Sequence, residues 1–467
     1  MERGLRARSR HAVGLLAVVL GLLTWTVNPA TASAKTHTFG SSTARHATDS
    51  LIVAFKPGAN TRAARSSLGN AGVASTRKAS DRTALVRLRR GQSLAAVVRK
   101  LSKRSDVAFV RPNYLAHLSD AFVPDDPGKG EAFDWQQVQW NFVGQWGVNA
   151  LPAWSRMRDL GREGGAGVVV AVIDTGVAYE TIGRYKRSPD IDPARIVDPY
   201  DFVDNDTHAN DANGHGTHVA STIAETTNND YGVTGLAYGA TLMPLRALDA
   251  IGLGDEYAMA RAIRYAARHD ADVINLSVEF DLSLQASDLP LVLSAMRYAR
   301  RKGTLVVGAA GNQGTPHIAY PGKSPDALSV GASTIHGCLA DYSDWGSGLD
   351  VVAPGGGYDY GALDGRAGSS DLQNCRASGA GSPIYQITLK RSLRRFGLPG
   401  GYEGTSMATP HVSAVAALII ASGILGEDPT PDDVAVRITE TTKDLGVAGK
   451  DRRYGYGLVD AGAAVTP

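Results

Sequence analysis

Three glycine-containing segments each carry one polar side chain of a type used in covalent catalysis. Asp174 ends an apolar run before a glycine turn, His215 lies between two glycines, and Ser406 follows a Gly-Thr pair and opens an apolar segment. A serine hydroxyl is a weak nucleophile and needs a base to take its proton. A neutral imidazole can be that base near pH 7, and a carboxylate can fix its tautomer and stabilise its charged form. Together these residue types indicate acyl transfer through a serine nucleophile.

Each of the three residues also has a structural explanation when taken alone. An acid after a strand is often a turn or cap residue, a histidine in a glycine loop is more often structural than catalytic, and a serine at a helix start is usually an N-cap. The three segments together, in the order Asp, His, Ser, favour the catalytic interpretation. His218, one helical turn beyond His215, is interpreted as a packing residue.

The elements that must hold these residues alternate, from about Gln139 onward, between short apolar runs and helical segments. Strands are predicted at 168–173, 242–248, 273–276, 304–309, 328–330 and 351–353. Helices are predicted at 217–226, 257–268, 289–301, 406–421 and 431–441. The strands show little polar alternation, so helices are expected to cover both faces of the sheet. We therefore predict a doubly wound, mostly parallel α/β domain over 139–467, with a loop insertion at 358–401, and sites at the carboxyl ends of its strands.

A smaller domain is predicted over residues 35–120, with its core at 50–118. Strand-like and helix-like segments follow one another there in the order β-α-(β)-β-α-β, which suggests a ferredoxin-like α+β unit. Residues 119–137 are rich in Asp, Pro and Gly and are interpreted as exposed, and the linker between the two domains is placed at 121–138.

The first 34 residues have the pattern of a secretion signal. Four arginines precede an apolar run at 12–27, and the small residues Ala32, Ser33 and Ala34 follow it. A membrane anchor is the alternative, but the run is shorter than the roughly 20 apolar residues that a spanning helix needs. We predict that residues 1–34 are cleaved, that the product is secreted, and that it does not associate with a membrane afterwards.

Charge is balanced over the whole chain but unevenly distributed along it. The formal net charge of +2 argues against a dedicated nucleic-acid-binding protein. Residues 35–120 contain 16 basic and 4 acidic side chains, whereas residues 121–467 contain 28 basic and 41 acidic ones. Either these charges only keep each part of the chain soluble, or the two parts attract one another through them.

Cys338 and Cys375 are the only cysteines of the chain. Two cysteines are too few for a zinc cluster or a disulfide scaffold. In an oxidising compartment they can form one bridge. Two free buried thiols are the alternative, and the spacing does not distinguish them.

The three catalytic segments resemble those of the subtilisin-like serine peptidases. The matching segments are Val169–Gly176, Asn213–Val219 and Gly404–Pro410, in the family's chain order. The resemblance extends over about 139–465 and implies a serine endopeptidase that works through an acyl-enzyme, without an organic cofactor. It implies that Asp174 orients His215, that His215 is the general base and acid, and that Ser406 is the nucleophile.

The resemblance also assigns the oxyanion donor and the substrate cleft. The oxyanion of an acyl-transfer intermediate needs positioned donors, and the side-chain amide of Asn312 is assigned to this role beside the backbone N–H of Ser406. The family's cleft edges and the floor of its primary pocket match Gly252, Leu253, Gly254, Ser277, Val278, Glu279 and Ala319.

Glu279 departs from the family pattern, which usually has glycine at this place. A long acidic side chain there is expected to crowd or charge the non-primed subsites. We therefore expect a preference for basic residues a few positions before the scissile bond, in place of the family's broad apolar preference.

A structural calcium ion is implied by the same resemblance. The loop from Thr227 to Val233 resembles the family loop that wraps calcium with backbone carbonyls and an amide, and calcium accepts such a mixture of oxygens. An ordinary polar turn is the alternative. The implied ligands are Gln139, Asp190, Thr227, Asn229, Tyr231 and Val233.

Residues 50–118 resemble the family's inhibitory prodomain, and Val110–Tyr114 is similar to its closing strand. An unrelated small domain is the alternative. The resemblance implies a proform that processes itself, with the maturation region in 121–138, and a prodomain that inhibits its own enzyme. The expected substrates are proteins or peptides, and the enzyme is expected to be a monomer.

Two further classes of function stay open from the sequence. A serine esterase or acyltransferase would use the same triad, although a strand-pairing cleft favours peptides. A catalytically inactive binding protein would keep the fold, but the complete triad together with Asn312 argues against it.

Overall fold

The computed structural model describes residues 46–114, 122–129, 135–360, 375 and 381–467. The chain divides into two compact units, residues 1–117 and residues 118–467. The predicted signal peptide at 1–34 lies outside the described residues and stays a prediction.

The first unit is a four-stranded antiparallel sheet with two helices. These elements are β1 (His46–Phe55), α1 (Thr61–Ser66), β2 (Val73–Lys78), β3 (Thr83–Leu88), α2 (Leu94–Ser102) and β4 (Val107–Tyr114). The sheet order is β2-β3-β1-β4, and the core includes Leu51, Val86 and Leu101. One helix following β1 and one following β3, with this strand order, confirm the predicted ferredoxin-like unit.

The second unit is built on a seven-stranded parallel sheet. Its strands are β5 (Val169–Asp174), β6 (Tyr200–Asp201), β7 (Thr241–Arg246), β8 (Val273–Leu276), β9 (Leu305–Ala309), β10 (Leu328–Ser333) and β11 (Val351–Pro354). The order is β11-β10-β9-β8-β5-β7-β6, and every neighbouring pair is parallel. All residues of β8 to β11 are buried, as expected for strands covered by helices on both faces.

Helices cover the two faces of this sheet with separate hydrophobic cores. The helices of the unit are α3 (Trp135–Val138), α4 (Trp140–Val143), α5 (Ala150–Asp159), α6 (His215–Ala224), α7 (Glu256–Arg268), α8 (Pro290–Arg301), α9 (Thr405–Ser422), α10 (Pro431–Glu440) and α11 (Ala461–Ala464). One core includes α6 and α9, and the other includes α7 and α8. Among the described residues, α9 alone is long and apolar enough to cross a membrane, but it is 83% buried and is a core helix of this unit.

The prediction that the linker is exposed is wrong for the part of it that the structure describes. Asp126 and Trp135 are fully buried, and the Trp135 indole donates to the carbonyl of Pro124 at 2.8 Å. Phe122 packs edge-on against Trp154 of α5. The Asp, Pro and Gly content suggested exposure, but the aromatic side chains anchor the segment to the core.

The insertion predicted at 358–401 is partly described. Within it, β12 (Thr388–Leu389) pairs with β13 (Phe396–Gly397) in antiparallel fashion, while residues 361–374 and 376–380 lie outside the described part. Cys375, also in the insertion, forms a disulfide bond with Cys338. The bridge decides between the two alternatives that the cysteine spacing left open.

Candidate active site

Asp174 and His215 meet where β5 ends and α6 begins. The Asp174 carboxylate is fully buried; its Oδ1 lies 2.8 Å from Nδ1 of His215 and accepts the Thr175 backbone N–H at 2.7 Å. Burial alone would lower the pKa of His215, but the charge and the hydrogen bond of Asp174 outweigh it and raise that pKa above its ordinary value. In this arrangement Nε2 is the nitrogen that could accept a proton, and Asp174 would stabilise an imidazolium formed there.

The two glycines beside His215 allow this close approach. Gly214 has φ +112°, a left-handed conformation that side chains rarely adopt, and it turns the chain into α6. A Cβ at Gly216 would lie 2.1 Å from the Gly176 carbonyl oxygen and 3.1 Å from Oδ1 of Asp174. Any side chain at Gly216 would therefore push the helix away from the end of β5.

A buried aspartate that the sequence analysis did not single out holds the loop before α6. Asp211 is 1% exposed, and its carboxylate accepts three backbone N–H groups within 213–217 at 2.8–2.9 Å. It also accepts the hydroxyls of Thr175 and Thr217. Asp211 therefore ties the turn after β5 to the turn before His215. An aspartate two residues before an Asn-Gly pair is a turn signal that could have revealed it.

Ser406 lies in the first turn of α9 and is bonded to the residue that follows β8. Its Oγ donates to the Ser277 carbonyl at 3.1 Å, and Oγ of Ser277 donates to the Ser406 carbonyl at 2.8 Å. In an unbroken α-helix this carbonyl would accept the N–H of residue 410, but Pro410 has none. The proline thus frees the carbonyl of Ser406 for Ser277. The Ser406 hydroxyl bonds Ser277 and not His215 here; such nucleophile–base bonds often tighten only with substrate bound.

Asn312, predicted as the oxyanion donor, faces the same turn. Its Oδ1 accepts the backbone N–H of Thr405 at 2.8 Å and the Thr405 hydroxyl at 3.0 Å. These two bonds fix the amide so that Nδ2, the donor side, faces Glu279. Nδ2 lies 3.4 Å from Oε2 of Glu279.

The cleft beside these residues has a volume of about 420 Å³. His215, Ser406 and Asn312 line it together with Ile251, Phe280 and the predicted cleft residues Gly252, Leu253, Gly254, Ser277, Val278 and Glu279. Leu253 is 66% exposed and Ile251 75% exposed, so one edge offers free apolar side chains. Ala319 does not line the cleft surface; it is buried behind Gly311.

Comparison with protein families matches two parts of the chain. The profile of the Subtilase family matches residues 165–457, which is more than half of the chain. The chain belongs to the subtilase family. A second profile, the fervidolysin N-terminal prodomain, matches residues 32–113. The predicted family and the presence of a prodomain in this subtilase are therefore confirmed.

Individual relatives of this subtilase are proteases. It is 32% identical over 376 residues to a thermophilic serine proteinase from Bacillus sp. (strain AK1), covering 80% of this chain and 76% of the relative. It is 34% identical over 259 residues to thermitase from Thermoactinomyces vulgaris, covering 56% and 77%. A solved structure of a protease from Pseudoalteromonas arctica PAMC 21717 matches with a TM-score of 0.56 at 30% identity, covering 74% of this chain and 99% of that one. The predicted fold class is confirmed, and the protein is a serine protease that acts on peptide bonds.

Subtilases commonly bind structural calcium, and buried carboxylates of this chain lie beside the loop at 227–233 that was predicted to hold it. Asp126, Asp190 and Glu225 are fully buried, and one oxygen of each has no hydrogen-bond partner. Burial raises the pKa of all three carboxyls. Among the described residues, no three His, Cys, Asp or Glu side chains are grouped closely enough in this structure to form a metal site. Even so, buried carboxylates without countercharge are costly, and their oxygens fit calcium.

The predicted calcium ligands lie around this group. Nδ2 of Asn229 donates to Oδ1 of Asp190 at 2.7 Å. The amide of Gln139, in contrast, is bonded at both ends, to the backbone of Thr234 and to Gln386. Thr227, Tyr231 and Val233 belong to the same loop. Asp126 and Glu225 were not predicted, because single acidic residues in a linker and at a helix end carry no local pattern.

Proposed function

We propose that this subtilase is a secreted endopeptidase that hydrolyses peptide bonds through an acyl-enzyme on Ser406. The observation that supports the proposal most strongly is that His215, Ser406 and Asn312 line one cleft, with Asp174 hydrogen-bonded behind His215. The cleft is open along residues 252–254 and 277–279, so a polypeptide could lie in it as an added strand.

In the proposed mechanism His215 takes the proton of Ser406 as Oγ attacks the scissile carbonyl carbon. Asp174 stabilises the imidazolium through Nδ1. The negative charge on the carbonyl oxygen is met by Nδ2 of Asn312 and by the N–H of Ser406 at the N-terminus of α9. His215 then protonates the leaving amine. In the second half of the cycle His215 takes a proton from water as the water oxygen attacks the acyl carbon. It then returns that proton to Oγ of Ser406 as the ester bond breaks and the acid product leaves.

The test is covalent labelling of the enzyme with a fluorophosphonate, compared with Ser406→Ala. We expect labelling of the parent enzyme, none of the variant, and hydrolysis of casein by the parent alone. Labelling with turnover of simple esters but not of casein would indicate an esterase or acyltransferase. A parent enzyme that folds but is not labelled would be an inactive binding protein.

We further propose that the prodomain inhibits the enzyme and is removed by the enzyme itself. The fervidolysin-type match over residues 32–113 supports this, as does the opposite charge of the two parts. The Ser406→Ala variant should then be secreted as an uncut proform. Correct trimming of that variant in the absence of any other protease would show that processing is external.

We also propose a structural calcium ion held by Asp190 and Glu225, with Asp126 and oxygens of the 227–233 loop around it. The three unpartnered buried oxygens support this site. Calcium would neutralise these charges and rigidify the loop, and no step of peptide hydrolysis passes through it. No organic cofactor is needed for the proposed chemistry.

A further inference from the structure

The carboxylate of Glu279 is turned toward the oxyanion donor. Oε2 accepts the backbone N–H of Asn312 at 2.8 Å, and Oε1 accepts Nε2 of Gln313 at 2.7 Å. Glu279 itself is exposed and lines the cleft beside Ser406. The acidic group therefore lies within the cleft, next to the reacting centre, and does not extend along its outer edge.

The carboxylates of Asp344 and Glu279 both lie next to Gly311. A Cβ at Gly311 would lie 2.2 Å from Oδ2 of Asp344, 3.1 Å from Oε2 of Glu279 and 3.2 Å from Cβ of Ala319. Gly311 has φ +117°, which also favours glycine there. We call Glu279, Gly311, Ala319 and Asp344 the acidic corner.

Three chain segments enclose the acidic corner. The backbone N–H of Ala319 donates to the Ala310 carbonyl at 2.7 Å, and that of Phe280 donates to the Tyr320 carbonyl at 2.7 Å. The segments that follow β8 and β9 are thus joined through residues 319–320. The corner lies between the two segments. Glu279 lines the cleft, and Ala319, the predicted floor of the pocket for the residue before the scissile bond, is buried behind Gly311 together with Asp344.

One carboxylate oxygen of Asp344, next to Gly311, accepts no hydrogen bond. Its side chain is fully buried, Oδ1 accepts the N–H and hydroxyl of Thr315, and Oδ2 has no partner. Burial, with a smaller contribution from the charge of Glu279, raises the pKa of Asp344 to about 6. In the described part of the chain neither Glu279 nor Asp344 forms an ion pair. A cation is the partner that this site lacks.

We propose that the acidic corner binds the side chain of Lys or Arg immediately before the scissile bond, so that the enzyme cleaves after basic residues. This rests on the proposed endopeptidase function and assigns its substrate class. In this proposal the charged end of the side chain meets Glu279, which lines the cleft. Such charge-assisted hydrogen bonds are stronger than neutral ones. The buried, unpartnered oxygen of Asp344 adds negative charge behind Gly311.

The position of Glu279 also links substrate choice to turnover. Its Oε2 lies 3.4 Å from Nδ2 of Asn312, the donor reserved for the oxyanion. With a neutral substrate side chain in the pocket, the carboxylate stays at this donor and repels the developing negative charge. A substrate cation draws the carboxylate toward itself and releases Nδ2. Basic substrates should therefore have a higher kcat as well as a lower KM.

The experiment measures kcat and KM of the processed enzyme, obtained from the full chain, on peptides that differ only in the residue before the scissile bond. The residues compared are Lys, Arg, Leu and Phe. We expect Lys and Arg to exceed Leu by at least tenfold in kcat/KM. Glu279→Gln should lose roughly 10- to 100-fold in kcat/KM on Lys and Arg. Its kcat on Leu should rise, because the negative charge beside Nδ2 of Asn312 is removed. Asp281→Asn removes the same charge from an exposed site outside the cleft lining and should change none of these ratios.

Asp344→Asn provides a second measurement, because its amide oxygen can still accept from Thr315. We expect it to lower the Lys-to-Leu ratio, and the exposed Glu279 variant decides the matter if this buried variant fails to fold. The inference would be overturned if the parent enzyme preferred Leu or Phe and Glu279→Gln changed kcat/KM on all four substrates by the same factor. If fluorophosphonate still labelled the enzyme in that case, the proposed peptidase function would stand. A parent enzyme that is neither labelled nor active would refute the proposed function, and this inference with it.

Discussion

Oδ1 of Asn312 accepts the backbone N–H of Thr405 at 2.8 Å, one residue before the proposed nucleophile. This bond crosses from the end of β9 to the start of α9. Together with the bond from the Thr405 hydroxyl, it links the proposed oxyanion donor to the proposed nucleophile without involving substrate. Electrostatic stabilisation of a transition state depends on such fixed donors, since they need no reorganisation when charge develops.

Replacing Asn312 by Ala should lower kcat by roughly 10²–10³-fold, about 2.7–4 kcal/mol, the loss reported for a related peptidase of this family. KM should barely change, because the donor acts on charge that forms in the transition state. Steady-state kinetics on one peptide measures both. Asn312→Asp keeps the acceptor for Thr405 but replaces the donor by a negative charge, so its loss of kcat should be at least as large as that of Asn312→Ala. A change confined to KM would contradict the assignment.

The Asp174–His215 pair predicts the acid limb of the pH–activity profile. His215 must be neutral to accept the proton of Ser406, and Asp174 raises its pKa. Activity should therefore fall as the pH drops through a value above the ordinary histidine pKa of about 6.5. In Asp174→Asn we expect kcat to fall by roughly 10⁴-fold and the acid limb to move to lower pH. The measurement is kcat/KM against pH. An unshifted limb in the variant would mean that a group other than His215 controls it.

Removing calcium should destabilise the processed enzyme. A ligand at 100 times its Kd stabilises the folded state by about 2.7 kcal/mol, so a chelator should lower Tm by several degrees. In Glu225→Gln the stabilisation by added calcium should shrink, whereas Glu427→Gln, an exposed site, should respond as the parent does. Calorimetry with and without calcium measures this. Equal calcium responses in parent and Glu225→Gln would remove Glu225 from the site.

The prodomain should bind its enzyme with a strongly salt-dependent rate. Residues 35–120 carry 16 basic and 4 acidic side chains against 28 and 41 in residues 121–467, and opposite charge accelerates encounter. The association rate of a separately produced 35–120 fragment, followed by loss of activity, should fall steeply from low to high salt. A rate indifferent to salt would refute the electrostatic part of the proposal.

Charge reversal on α2 tests the same idea by mutation. Arg99, Lys100 and Lys103 are exposed, whereas Arg104 is held by the carboxylate of Asp106 and by Ser67. Reversing the first three should slow association more than it speeds dissociation, and Arg104 is best left in place to preserve the fold. Circular dichroism of the fragment controls for folding.

Sequence patterns predicted the elements and the reactive residues, because these depend on local signals. The end of β5 at Asp174 and the glycine turns before α6 and α9 are readable from a few neighbouring residues. The roles of Asp211 and Asp344 are not, because their partners are backbone N–H groups and side chains brought together only by folding. The direction of Glu279 also required the structure: its sequence position predicted charge in the cleft, while its bonds to Asn312 and Gln313 direct that charge to the reacting centre.

The paired bonds between Ser277 and Ser406, one of which Pro410 permits, couple the proposed nucleophile to the proposed substrate-binding edge. Thermal motion that bends α9 carries the substrate edge with it, so their mutual alignment survives small deformations. Loss of alignment requires α9 to separate from β8, which would open the hydrophobic core. For this protein, heat inactivation and cooperative unfolding should therefore be the same event.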